Sequence, residues 1–283
     1  MKLNYLLLLV FILFVSAGFG QNMKMNVMTF NVRLDHDGDG QHNWKYRKDA
    51  TAELLQTMDV DILGTQEVLR NQLDDFLLRL PSYRAIGVGR ADGKTKGEYS
   101  AILYKADRFD VEDSGNFWLS ETPDKAGSKG WDAAYERVVT WARMKDMKTG
   151  IRFMFFNTHF DHKGEIARKE SAILLMEKIR NLSLGVPVIL SGDFNGILNS
   201  DPVRIILENG FFFDSRTLSK LVKGPDWSFH GFGLVPVESR GLIDFIFLTK
   251  EIEAIEYENI FRVVGDTYLS DHNPVFVKIV ISQ

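Results

Sequence analysis

The chain has 283 residues, enough for one large α/β domain or two small ones, and its 45% hydrophobic and 25% charged content is ordinary for a globular protein with a sizeable core. It has no cysteine, which excludes disulfides, thiolate metal sites and cysteine nucleophiles. Its formal net charge of −4 argues against a broad grip on nucleic acid, although a few local basic residues can still hold one phosphate.

The first twenty residues differ from the rest. Lys2 is followed by an unbroken apolar run, Leu6 to Val15, and then by the small residues Ser16, Ala17, Gly18 and Gly20. That order of charge, apolar run and small residues is the pattern of a secretory signal peptide. Ten apolar residues fall short of the roughly 20 that a membrane span needs. The expectation is an exported protein, periplasmic or extracellular, cleaved near Gly20–Gln21, with no lipid-anchoring cysteine and no stable membrane insertion afterwards. The leader carries one Lys and no acid, so the remainder has a net charge of −5. No repeat or low-complexity linker divides residues 22–283, which read as one domain.

In chain order, β-rich apolar runs predict strands at Asn26–Phe30, Asp61–Gly64, Ala101–Tyr104, Val138–Ala142, Phe153–Thr158, Val186–Leu190, Ile243–Leu248 and Pro274–Val280. Helices are predicted over Lys48–Met58, Asn71–Leu80, Glu165–Asn181 and Pro202–Asn209, the last with Asp201 at the cap and Pro202 at the first helical position. Two packed sheets with outer helices fit this mixture. Polar, chemically able residues stand where the strands end, the usual place for ligands in layered α/β proteins. These are Asn31, Glu67, His159, Asp193 with Asn195, Asp244, and Asp271 with His272.

Each segment alone has a bland alternative. Gly192-Asp193-Phe194-Asn195 can face a carboxylate and an amide into one cavity, or form a β-turn. Glu67 can bind a hard cation through oxygen, or simply favour a helix start. Asp271-His272 can combine a metal ligand with a proton carrier, or lie in a polar loop. His159 can polarise a phosphoryl oxygen, while Asp161 and His162 beside it read as solvated loop residues. Asp35–Gly40 opens like an EF-hand loop, but Tyr46 stands where the twelfth-position Glu is required, so it reads as a solvated acidic loop.

The order Phe30-Asn31, Gln66-Glu67, Thr158-His159, Gly192-Asp193-Phe194-Asn195, Ile243-Asp244 and Ser270-Asp271-His272 is far more specific than any one segment. Over residues 24–281 it resembles the endonuclease/exonuclease/phosphatase superfamily, which includes DNase-I-like nucleases. The resemblance implies a four-layer α/β sandwich, two mixed sheets face to face with helices outside, and a magnesium- or manganese-dependent attack of water on a phosphoester. It implies Glu67 as metal ligand with Asn31 and Asp271, and Asp193 as the group that aligns and deprotonates the water beside Asn195. It implies that His272, oriented by Asp244, and His159 hold the phosphoryl oxygens. It places Glu98 as a carboxylate partner for His159, and Arg137 near the phosphate. Arg33 stands where apurinic endonucleases carry a second aspartate, which argues against abasic-site repair.

Adjacent carboxylates would keep both histidines as imidazolium. Acidity and export rank small or lipid-derived phosphoesters first, a non-specific nuclease second and sphingomyelinase-type cleavage third. A non-catalytic binding protein on this scaffold would have lost catalytic side chains, and none of the main positions is lost.

Overall fold

The computed structural model describes residues 22–282, so the expected leader and its cleavage point lie outside the described residues. In the first half run β1 (Asn22–Asn31), α1 (Lys48–Thr57), β2 (Ile62–Gln66), α2 (Arg70–Arg79), β3 (Tyr83–Ile86), β4 (Ile102–Lys105), β5 (Phe109–Trp118) and β6 (Val138–Asp146). Then follow β7 (Arg152–His159), α3 (Glu165–Ser183), β8 (Val188–Asp193), α4 (Asp201–Leu207), β9 (Phe213–Asp214), α5 (Ser215–Leu218) and β10 (Leu221–Lys223). The chain closes with β11 (Asp244–Leu248), β12 (Ile252–Asn259), β13 (Val263–Val264), β14 (Thr267–Tyr268) and β15 (Val275–Ser282).

The strands build two large mixed sheets, ordered β10-β12-β15-β1-β2-β4-β3 and β5-β6-β7-β8-β11-β9. Side chains alternate across each strand, so one strand feeds two cores. In β1, Met25 and Val27 point to the core between the sheets, where they meet Phe155, Ile189 and Ile246. Met28 and Phe30 point the other way, onto Leu54 and Leu55 of α1 and Leu73 and Phe76 of α2. Phe156 and Leu190 of the second sheet likewise pack on Leu175 and Ile179 of α3 and on Val203 and Ile206 of α4. The result is the expected four-layer α/β sandwich. Strands buried on both faces explain the near-continuous apolar runs in the sequence.

Each sheet contains one central parallel pair, β1 with β2 and β7 with β8. Parallel neighbours need a crossover, and α1 and α3 supply it. Both pairs therefore send their C-terminal ends to the same edge of the sandwich. Pro187 has no N–H to donate, so β8 starts at Val188 rather than Val186, and it runs on through Ser191 and Gly192 to Asp193. The expected cap of α4 also shifts: Ser200 is the cap residue, Asp201 is the first helical position and Pro202 the second. Among the described residues, no helix is long and apolar enough to cross a membrane.

Candidate active site

The residues at the common edge come from strand ends in register. His159 and Asp193 are paired last residues of β7 and β8, and Asp244, first in β11, is the antiparallel partner of Asp193. Asn31 ends β1 opposite Gln66, with Glu67 one residue beyond. Beneath them Gln66 Nε2 donates to Asn157 Oδ1 at 2.7 Å, and Asn157 Nδ2 donates to the Thr65 carbonyl at 2.8 Å, which ties the two sheets together just below the edge. Arg33, Glu67 and Asn195 have φ of 57°, 60° and 46°. This left-handed backbone costs a non-glycine residue on the order of 1–3 kcal/mol and is retained where surrounding contacts dictate it. All three residues line a cleft of about 500 Å³ at the edge.

Asp193 is the hub. Its Oδ2 accepts from Asn31 Nδ2 at 3.0 Å and lies 3.4 Å from His159 Nε2 and 3.8 Å from His272 Nε2. Its Oδ1 accepts from the Asn195 N–H at 2.9 Å. The other nitrogen of His272, Nδ1, is 2.8 Å from Asp244 Oδ2, and Ser228 Oγ donates to that same oxygen at 2.5 Å. The Asn31 amide also donates to Glu67 Oε1 at 3.1 Å, so one side chain joins Glu67 to Asp193. Asp271 lies 8% exposed in the cleft wall, its Oδ1 accepting from Ser270 Oγ at 3.1 Å.

Protonation follows the neighbours. Burial works against charge on His272, but Asp244 and then Asp193 outweigh it and raise its pKa to about 10, so it is an imidazolium. Burial and the facing Asp244 push Asp193 up to about 7, against the opposing pull of His272. His159 goes the other way. Burial, reinforced by the Arg137 and Arg90 guanidinium groups, holds its pKa well below the usual imidazole value. The expectation that both histidines are imidazolium therefore holds for His272 and fails for His159. Its Nε2 lies 3.1 Å from Asn195 Nδ2, a donor, so a neutral His159 accepts there, and the 3.4 Å approach to Asp193 is not an ion pair of imidazolium type.

The expected pairing of Glu98 with His159 is also absent. Glu98 binds Arg90 through two bonds of 2.6 and 2.7 Å, and the buried Nδ1 of His159 has no hydrogen-bond partner among the described residues. A short bidentate fork outcompetes a neutral imidazole for a carboxylate. Arg137 does reach the cleft, 4% exposed, with Nε donating to Asp161 Oδ2 at 3.3 Å and Nη1 buried without a partner among the described residues. Asp161, read from sequence as solvated, is 1% exposed and also accepts from the backbone N–H groups of Tyr135, Lys163 and Gly164. His162 is exposed but lines the cleft. Tyr135 and Arg90 line it too, and nothing in the sequence reading singled them out. The acidic loop Asp35–Gly40 contributes through Asp39, which pairs with the cleft-lining Arg33 at 2.9 Å.

Two oxygen-rich sets could in principle hold a cation. Asp193, Asp244 and His272 each offer a ligand atom within 4.8 Å of the others. There, however, the His272 imidazolium already sits between the two carboxylates, so a cation would have to displace its proton. Glu67 and Asp271 are more loosely compensated: Arg33 Nη1 lies 3.9 Å from Glu67 Oε2, and burial, then Glu67, against the opposing charges of His272 and Arg33, raises the pKa of Asp271. Two mutually repelling carboxylates beside the Asn31 amide are the better match to a hard divalent ion.

Residues 28–272 match the Endonuclease/Exonuclease/phosphatase family. The chain belongs to this family. A solved endonuclease/exonuclease/phosphatase of Bacteroides vulgatus is 43% identical, with a TM-score of 0.88 over 91% of this chain and 98% of that one. The Bacteroides thetaiotaomicron mannosyl-6-phosphatase is 38% identical, with a TM-score of 0.84 over 90% and 99% of the two chains. The CCR4-Not complex 3'-5'-exoribonuclease subunit of Neosartorya fischeri is 22% identical over 191 residues, 56% of this chain and 25% of that protein. The chain spans about a quarter to a half of the length of the curated relatives it matches. In this endonuclease/exonuclease/phosphatase domain the paired sheets carry the cleft at one edge.

Proposed function

We propose that the chain is an exported, divalent-metal-dependent phosphoesterase that hydrolyses a small phosphomonoester by attack of water. One observation carries the reading: a buried carboxylate, Asp193, stands in an open cleft within reach of an amide, a neutral imidazole and an imidazolium. A carboxylate raised to about 7 is a base poised near working pH. Asp193 takes a proton from water as the new P–O bond forms and the ester P–O bond breaks, and the alkoxide that leaves takes up a proton from solvent. His272, held charged and oriented by Asp244, donates to a phosphoryl oxygen as negative charge builds there. Asn195 and Arg137 are donors on the same wall, and neutral His159 positions Asn195 and the water rather than supplying charge.

Glu67, Asp271 and Asn31 fit a magnesium or manganese ion. They offer oxygen donors and no sulfur, and the Arg33 guanidinium stands 3.9 Å from Glu67, a loose pairing that leaves the carboxylate open to a cation. Bound there, the ion would polarise the phosphoryl group and neutralise its charge. The likeness to a mannosyl-6-phosphatase at 38% identity supports a sugar phosphate ahead of the lipid-derived esters and nucleic acid that also suit the chemistry.

A panel of sugar phosphates, phosphoinositides, sphingomyelin and nucleic acid, assayed with and without chelator, tests the reading. Phosphate should be released fastest from a small monoester, stop on chelation and resume with magnesium or manganese. Failure to hydrolyse any phosphoester in the presence of metal would refute it. Export is tested by cell fractionation: a mature N-terminus near Gln21 outside the cytoplasm is expected, and a full-length cytoplasmic protein would contradict it.

A further inference from the structure

We propose that His162 is a specificity-determining residue, a fixed neutral hydrogen-bond donor that reads a hydroxyl on the alcohol part of the substrate just outside the phosphoryl site. The proposal rests on the phosphoesterase reading and adds to it the class of alcohol.

The argument starts from donor chemistry. Arg137 Nη2 lies 3.1 Å from His162 Nδ1. A guanidinium nitrogen only donates, so Nδ1 must accept. The proton of the ring is therefore on Nε2, on the side away from Arg137, and the exposed ring lines the cleft. Partial burial and the Arg137 charge hold its pKa below the usual imidazole value, so it remains neutral. A neutral N–H is a poor counter-charge for a phosphate dianion and a good partner for a hydroxyl oxygen.

The orientation is fixed from three sides. The ring stacks on Tyr135, with centroids 5.8 Å apart and planes 18° apart. Tyr135 itself lies under the Arg90 guanidinium, 5.2 Å from its centroid. Below, the buried Asp161 accepts from Arg137 Nε and from the Tyr135, Lys163 and Gly164 N–H groups, which locks the two loops together. An exposed side chain held this firmly has already lost the rotamer freedom that binding would otherwise remove. Arg137 gives the placement: it lines the same cleft as His159 and Asp193, and His162 is one hydrogen bond away from it.

The test compares hydroxyl-bearing monoesters (a hexose 6-phosphate and glycerol phosphate) with phenyl phosphate, in wild type, His162→Phe and His162→Gln. Phe keeps the stack on Tyr135 but neither accepts nor donates. Gln can accept from Arg137 and donate onward. In H162F the ratio of kcat/KM for the better hydroxyl-bearing ester to that for phenyl phosphate should fall by about tenfold or more, mainly through KM, the size of one lost ligand hydrogen bond. H162Q should retain most of the ratio. An unchanged ratio in H162F, an equal loss in H162Q, or a wild type that prefers phenyl phosphate would each overturn the proposal while leaving the phosphoesterase reading intact. A wild type that hydrolyses none of the three would overturn the proposal, and one that also fails on every ester of the wider panel with metal present would remove the phosphoesterase reading too. Independently of any variant, ¹⁵N NMR of the imidazole should place the proton on Nε2 at neutral pH, and a proton on Nδ1 would overturn the proposal.

Discussion

His159 and His272 are the same residue type, both buried, both within 4 Å of Asp193, yet one is neutral and the other charged. The difference lies in what stands behind them. Asp244 is 2.8 Å behind His272, whereas Arg137 and Arg90 face His159. Neighbouring charge decides where burial alone would make both neutral. The types and positions of Asn31, Asp193, Asp244 and His272 were legible from sequence because the first three stand at strand ends and His272 in the polar segment just before β15. The charge on His159 and the partner of Glu98 were not, because both depend on Arg90 and Arg137, which meet them only through the fold. At this scale Glu67→Gln should raise the divalent-ion concentration that gives half-maximal activity, with kcat at saturating metal less affected. A metal titration superimposable on that of wild type would take Glu67 out of the ligand set.

Strand ends carry the site, so small changes in strand spacing should matter. Gly192 lies in β8 beside β7, and a Cβ there would sit 2.4 Å from the Thr158 carbonyl oxygen. Backbone cannot swing aside as a side chain can. Gly192→Ala should therefore push apart the ends that hold His159 and Asp193, lowering kcat and destabilising the fold by about 1–3 kcal/mol. A variant with wild-type melting temperature and turnover would show that this spacing is not critical. The loops have their own anchor in Asp161. Burial would raise its pKa, but the backbone N–H groups of Gly164, Ala134 and Lys163 and then the Arg137 charge hold it well below 3.8 in the folded state. A depressed folded value means that Asp161 contributes stability above 3.8, and that the contribution is lost as pH falls toward the folded value. Asp161→Asn should cost about 1–3 kcal/mol at pH 7 by urea unfolding. The gap from wild type should narrow only below pH 3.8. A gap that stays constant down to pH 3 would assign the loss to shape rather than charge.

The central strands and the four main helices were readable in the sequence because burial on both faces, or on one helical stripe, leaves a regular pattern. The edge strands were not. β5 reads Phe-Asp-Val-Glu-Asp-Ser-Gly-Asn-Phe-Trp, an acidic edge with a bulge between Val111 and Asp113. Charge protects an open edge from further pairing and hides the strand from a hydrophobic reading. β12, one strand in from the β10 edge, was missed for another reason: it alternates apolar and acidic residues, but a bulge between Ala254 and Glu256 resets its period midway. The family order of motifs foretold the four-layer architecture. What it could not supply is which side chains touch: Asn31 and Asp193, 162 residues apart, meet because two βαβ units in different sheets end at one edge. The wall formed by the exposed Tyr135 and His162 over the buried Arg137 belongs to loops with no regular period.

The most direct measurement is phosphate release by Asp193→Asn in parallel with its unfolding curve. An amide removes the base while easing the burial of charge, so the fold should persist and turnover should drop by a factor of about 10²–10⁴. A folded D193N protein with wild-type turnover would contradict the assignment of water activation to this cleft.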